Sequence, residues 1–184
     1  MTPPVPRLET ERLVLRPPLP EDFEDFAAFS ADAEAMRHLG GVQPRPVAWR
    51  SFVGLVGSWH VRGYAFFSVI EKATGRWVGR LGPWMPEGWP GTEVGWSIAR
   101  PFWGRGYAPE GAAAAIDWAF DTLGWTEVVH AIDAANTNSK AVATKLGSRY
   151  LRPGRLPAPL DLDVELWGQS REEWRARRAG GTPA

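Results

Sequence analysis

Cysteine is missing from the chain. Disulfides, thiolate metal sites and a cysteine nucleophile are thereby excluded, and any covalent intermediate would need another residue. Net charge is missing too: 21 Lys plus Arg balance 21 Asp plus Glu. No global field would hold such a protein on nucleic acid or on an anionic membrane. Nowhere do about 18 apolar residues run together, the length a membrane span needs. The N-terminus, MTPPVPRLETERL, has prolines and early charges where a secretory leader has an apolar core and a small-residue cleavage site. A cytoplasmic protein is the expectation. Histidine is scarce: His38, His60 and His130 stand far apart with no paired spacing, so no metal site is expected. No repeat recurs at a fixed period.

Tryptophan, in contrast, is abundant, with 11 residues in a chain of 184. That length suits one domain, read here as residues 1–178 followed by a flexible tail, 179–184. Core filling explains most of the rings, including Trp77, Trp96 and Trp103. Trp84 and Trp89 sit among turn residues and are candidates for the wall of a substrate pocket. An apolar tryptophan on an exposed face would invite a homodimer.

Patterning predicts a first strand over Arg7 to Arg16, then a helix carrying Phe23, Phe26, Ala27 and Phe29 behind acidic Glu21 and Asp22. A second helix follows, in which Trp49, Phe52, Val53, Val56 and Trp59 are expected to form one buried stripe. Strands are expected at Tyr64 to Ile70 and Arg76 to Leu81, about a turn at Thr74-Gly75, and at Glu93 to Ile98. The longest helix places Ala112, Ala115, Ile116, Ala119 and Phe120 on one face and stops at Gly124. A strand at Val128 to Ile132 and a short helix at Asn138 to Leu146 complete a parallel crossover. Pro153, Pro157 and Pro159 read as a loop, DLDVELW as a last strand, and SREEWRARR as a last helix, with Ser170 and Glu173 at capping-box spacing. The mixed order of elements is that of an α/β or α+β fold.

The stretch EVGWSIARPFWGRGYAPE, Glu93 to Glu110, runs from a strand through a glycine-containing loop into a helix. Proline is tolerated only in the first helical turn, so Pro109 puts the N-cap between Arg105 and Ala108. Gly104 and Gly106 let backbone approach a ligand closely, and the helix N-terminus adds about half a positive charge. A pyrophosphate fits such a junction, with Arg105 supplying a full charge; a plain glycine turn is the other reading. No Walker lysine follows, and the spacing is not that of a dinucleotide fingerprint.

With WGRGYAPEG opening the long helix and NTNSKAVATKLG further on, the chain resembles the GNAT superfamily of acyl-CoA-dependent N-acyltransferases. The start, Glu9-Thr10 through Arg16-Pro17, is most similar to its ribosomal-protein alanine acetyltransferase (RimJ/RimL-like) branch. The resemblance covers Leu8 to Gly147. It implies a central mixed, mostly antiparallel sheet flanked by helices, with acetyl-CoA as co-substrate and an amine as acceptor. Trp103, Gly104, Arg105, Gly106, Tyr107 and Ala108 inherit the pyrophosphate role, and the backbone at Trp96 to Ile98 the pantetheine arm. Asn136 and Ser139 face the arm and thioester by the same resemblance, although Asn138 and Ser139 also suit helix capping. Where many members carry a proton-donating tyrosine this chain has Ala143, and the usual Gly-Phe is Gly147-Ser148. Ser139 is then the candidate proton donor.

An alkyl amine is mostly protonated at neutral pH, and about three pKa units amount to roughly 4 kcal/mol, so a base is needed near the acceptor. Glu93 is the candidate, matching a glutamate this branch often uses; the plainer alternative is an exposed strand-edge carboxylate. Glu110, in the first helical turn, is assigned a structural role. The rival function is a non-catalytic acyl-CoA-binding or sensing module.

Overall fold

The computed structural model describes residues 6–180; residues 1–5 and 181–184 lie outside that range. Along the chain come β1 (Leu8–Glu9), β2 (Leu13–Arg16), α1 (Phe23–Ala31), α2 (Ala33–Met36), α3 (Arg45–Arg62), β3 (Phe67–Glu71), β4 (Trp77–Trp84) and β5 (Glu93–Ile98). Then follow α4 (Tyr107–Asp121), β6 (Glu127–Ile132), α5 (Thr137–Lys145), β7 (Arg149–Arg155), β8 (Asp163–Ser170) and α6 (Arg171–Ala179). The strands form one eight-stranded sheet in the order β1-β2-β3-β4-β5-β6-β8-β7. Every pairing is antiparallel except β5 with β6, which the α4 crossover joins in parallel.

Helices cover both faces. On one side α4 lays Ala112, Ala115, Ile116, Ala119 and Phe120 against Leu13, Phe67, Val78, Leu81 and Val94 of the sheet, all buried. Small alanines bring the helix close, and the apolar face read from the sequence is the buried one. Trp174 of α6 joins this layer and donates to Asp117 of α4 at 2.7 Å. On the other side α1 and α3 contribute Phe26, Phe29, Ala48, Phe52 and Leu55, which pack with Phe66 and Trp77. The Ser170–Glu173 capping box forms as expected at the start of α6.

Five expectations change. The first strand is a small hairpin: Thr10 bonds Leu13 in both directions, and β1 folds back on β2. The buried stripe of α3 is Ala48, Phe52 and Leu55, while Trp49, Val53 and Val56 are exposed at 51%, 45% and 42%. Both sets have helical spacing, so periodicity alone could not choose between them. Trp103 is 43% exposed and not a core ring. Arg149–Arg155, expected to enter a loop at Pro153, is a strand. It lies at the sheet edge, where a proline without an N–H is tolerated. Finally, α6 continues through Ala179, into the segment assigned to a tail, and the remainder of that segment lies outside the described residues.

The parallel pair positions the site. β5 and β6 are in register at a single pair, Glu93↔Val129, and part beyond it. Ala99 N–H donates to Val78 O on the β4 side, so by strand alternation the backbone groups of Val94, Trp96 and Ile98 face the gap toward β6.

Candidate active site

Glu93 stands at the fork of that gap. It is 6% exposed, and its carboxylate accepts from Trp89 Nε1 and from the Ala131 amide at 3.4 Å. The exposed strand-edge alternative is therefore overturned: β6 and the Trp89 loop close over the side chain. Burial away from water pushes its carboxyl pKa up to about 7, against the pull of the Trp89 and Ala131 donors and of the Arg80 charge. A carboxyl group so placed exchanges its proton near neutral pH.

Trp84 and Trp89 meet edge to face at 6.3 Å beside it, and Trp84 stacks on Phe66 at 5.2 Å. Trp89 also packs against the buried cluster of Leu156, Val164 and Leu166. These rings make an apolar wall around a carboxylate, which is what holds its proton affinity high. Arg80 of β4 lies on the same sheet face, over the rings of Phe66 and Phe26 at 5.1 and 5.5 Å. Nothing in the sequence singled it out, because an arginine on a half-buried strand is unremarkable until its neighbours are known.

On the gap side of β5, Val94 O accepts from His130 Nδ1 at 2.6 Å and Ile98 O from Trp103 Nε1 at 2.6 Å. Between those two ends the Trp96 peptide groups and the Ile98 N–H face the gap. Trp96 itself tilts against His130, 4.6 Å between centroids.

Gly106 is the N-cap of α4 with φ +79°, and Gly104 has φ +74° with open space where a Cβ would stand. Both need the left-handed region that glycine enters freely. Among the described residues the N–H groups of Gly104, Arg105, Gly106, Tyr107 and Ala108 have no backbone or side-chain acceptor; Glu110 makes the first bond of the helix, to Gly106 O. Orphan donors in series at a helix start suit an anion such as a pyrophosphate. Arg12, missed in the sequence, braces this loop. It donates to Arg105 O at 2.8 Å and grips Glu110, whose other oxygen accepts from Thr10 Oγ1 at 2.6 Å. Glu110 is thus tied to the β1–β2 hairpin. Tyr107 is buried, with its hydroxyl donating to Glu71, and the Arg105 guanidinium reaches the same carboxylate at 3.4 Å.

Asn136 and Ser139 are neighbours at the start of α5. Asn136, and not Asn138, is the cap: its Oδ1 accepts from the Ser139 N–H at 3.1 Å. One oxygen of the pair expected to face the cofactor is therefore committed to the helix. The Ser139 hydroxyl makes no bond among the described residues. Ala143 is fully buried, and offers nothing to the gap.

Ser148, where the family resemblance expects phenylalanine, belongs to a closed polar chain. Val94 O can only accept, so His130 Nδ1 carries the proton; Nε2 then accepts from Ser148 Oγ at 2.9 Å. Ser148 Oγ accepts from Gln169 Nε2 at 2.8 Å, which also donates to Leu146 O at 3.0 Å. Burial lowers the His130 pKa to about 4, consistent with this neutral ring.

A family model described as an acetyltransferase (GNAT) domain matches residues 12–149. An uncharacterised Bacillus subtilis protein, YkkB, is 30% identical over 154 residues, covering 78% of this chain and 86% of its own. The crystal structure of an acetyltransferase from Agrobacterium tumefaciens superposes with a TM-score of 0.80 at 31% identity, over 91% of this chain and 95% of that one. An aminoglycoside acetyltransferase solved with coenzyme A, AAC(6')-Ib, shares the fold at a TM-score of 0.72 and 14% identity, over 90% and 99% of the two chains. Among the described residues no helix is long and apolar enough to cross a membrane.

Proposed function

The chain belongs to the acetyltransferase (GNAT) domain family, and from that premise we propose that it moves an acetyl group from acetyl-CoA to a primary amine, a protein N-terminus or a small molecule, by direct attack in a ternary complex. The observation that carries the reading is Glu93: a buried carboxyl at the fork of β5 and β6 whose pKa is about 7. A base with that pKa can take a proton from an ammonium and release it to water without a large cost in either direction.

In the proposed reaction Glu93 accepts the amine proton, the nitrogen bonds to the acetyl carbon, and the carbon–sulfur bond breaks. The departing thiolate takes a proton with the help of the Ser139 hydroxyl, whose position at the N-terminus of α5 also favours negative charge. The free amides of Gly104 to Ala108 and the Arg105 side chain suit the pyrophosphate, with Trp103 beside them; the Trp96 peptide groups and the Ile98 N–H suit the pantetheine arm. The Asn136 amide nitrogen, its oxygen being the cap, is available to the same arm. Trp84 and Trp89 wall the acceptor side. Membership of the ribosomal-protein alanine acetyltransferase branch rests on Glu9-Thr10 to Arg16-Pro17, and a cytoplasmic site of action suits a chain without cysteine.

Calorimetric titration with acetyl-CoA, beside dephospho-CoA and ATP, tests the donor. Affinity near micromolar, on the order of −8 kcal/mol, is expected for acetyl-CoA. Free-thiol release with mixed amines tests the reaction. A folded protein that neither binds acetyl-CoA nor releases thiol would end the reading.

A further inference from the structure

Arg80 has an unusual account of its hydrogen bonds. A guanidinium carries five N–H donors and no acceptor, and here the group makes no ion pair or hydrogen bond among the described residues; its Nε is enclosed with no partner at all. It lies over the faces of Phe26 and Phe66. The carboxylates of that face are engaged elsewhere. Asp22 takes both Arg16 Nη atoms, at 2.7 and 2.8 Å, together with Ser68 Oγ and the Leu19 amide. Glu93 takes Trp89 and Ala131. An arginine held between aromatic rings with its fork unmatched is a receptor for an anion that the chain itself does not supply.

Its place fits the reaction. In the β4–β5 register Arg80 opposes Ser97, Gly82 opposes Gly95, and Trp84 opposes Glu93. These alternate pairs share one face, and the middle pair has no side chains, so the floor between Arg80 and Glu93 is low, with the Phe66 ring beside Gly95. Four residues of strand separate Ser97 from Glu93, about 13 Å at 3.3 Å per residue, and both side chains reach into that interval.

We infer that Arg80 binds an anionic group of the acceptor, so that the amine acetylated at Glu93 carries a carboxylate or a phosphate on the same molecule. This rests on the acetyltransferase reading above and names the acceptor class within it. A neutral or polycationic amine would leave the guanidinium unpaired or repelled.

The test uses matched amines: phenylalanine and its amide, γ-aminobutyrate and its amide, phosphoethanolamine and ethanolamine. Each is assayed by thiol release with acetyl-CoA, and by calorimetry with coenzyme A present. At least one anionic member is expected to show a KM or Kd tenfold or more below its neutral partner; whether it is a carboxylate or a phosphate separates the two sources. Arg80 also pulls on the Glu93 pKa, and a change there falls on both members of a pair, so the readout is the ratio within each pair: Arg80→Met should bring it to about one, and Arg80→Lys should keep part of the preference. Equal behaviour of acid and neutral forms in every pair overturns the inference without any variant, as does a preference that survives Arg80→Met. Anion-dependent binding without turnover would sustain the inference and fail the activity; turnover confined to neutral amines would do the reverse.

Discussion

Two sets of buried polar groups lie one residue apart along β5, and they are wired in opposite ways. From Val94 the chain of His130, Ser148 and Gln169 ends on Leu146 O with every donor matched. From Glu93 the neighbouring set contains a carboxyl with its pKa lifted to about 7 and an arginine without an acceptor. The first set ties β5, β6 and β8 to the end of α5 and to Ser148 just after it, and all its donors are used within the chain. The second is costly to bury and stays unfinished until something else supplies a proton and an anion. A closed network is a fastener, and an open one beside a gap is a site.

The sharpest break between the sets is Glu93→Gln. Turnover should fall about 10²–10⁴-fold, the usual size of a lost general base, with acetyl-CoA affinity little changed by calorimetry. Full activity at all pH values would remove Glu93 from the chemistry. In the parent protein kcat/KM should rise with pH to a half-maximum near 7 as Glu93 ionises, and the variant should lack that limb.

The two sets also tilt stability in opposite directions with pH. Glu93, raised from 4.5 to about 7, binds more protons folded than unfolded, so its contribution falls as pH climbs through that window. His130, lowered from 6.5 to about 4, binds fewer protons folded, so its contribution is lost as pH falls from 6.5 toward 4. Each is worth up to about 3 kcal/mol, at roughly 1.4 kcal/mol per pKa unit. Urea unfolding from pH 4 to 8 should show Glu93→Gln gaining on the parent as pH rises. The deficit of His130→Gln should instead be greatest above pH 6.5 and shrink below it. Parallel curves for the two variants would erase the distinction.

Ser148→Ala strips His130 and Gln169 of a shared partner and should cost about 1–3 kcal/mol in urea unfolding, with activity per folded molecule within about twofold. A large loss of turnover would mean that the closed network is not closed in function. The smallest effect compares two glycines. Gly104 and Gly75 have φ of +74° and +70°, both with open space at the Cβ position, so alanine should strain each by about 1 kcal/mol. Only Gly104→Ala should also weaken acetyl-CoA, because its loop carries the run of free amides at the start of α4; equal binding by both variants would count against the cradle.

Local chemistry was legible. Pro109 put the N-cap of α4 between Arg105 and Ala108, where Gly106 holds it, and Ser170 with Glu173 marked the start of α6. Glu93 was a candidate through its strand and its likeness to a family, but its burial was not legible, since a carboxylate at a strand start reads as exposed. The strand at Arg149–Arg155 escaped because its proline is acceptable only at an edge, and whether a strand is an edge depends on the sheet order. The buried side of α3 escaped for a related reason: two stripes at the same spacing compete, and the choice falls to whichever surface meets Phe66 and Trp77.

By itself the sequence determined the type and order of most elements, the glycine loop and the family, because turns, caps and periodicity act over a few residues. Only the tertiary structure decided which polar groups were finished. Pairing β4 with β5, and parting β5 from β6, joins residues 9 to 38 positions apart, and no local pattern records whether Arg80 finds an acceptor or Ser148 meets His130.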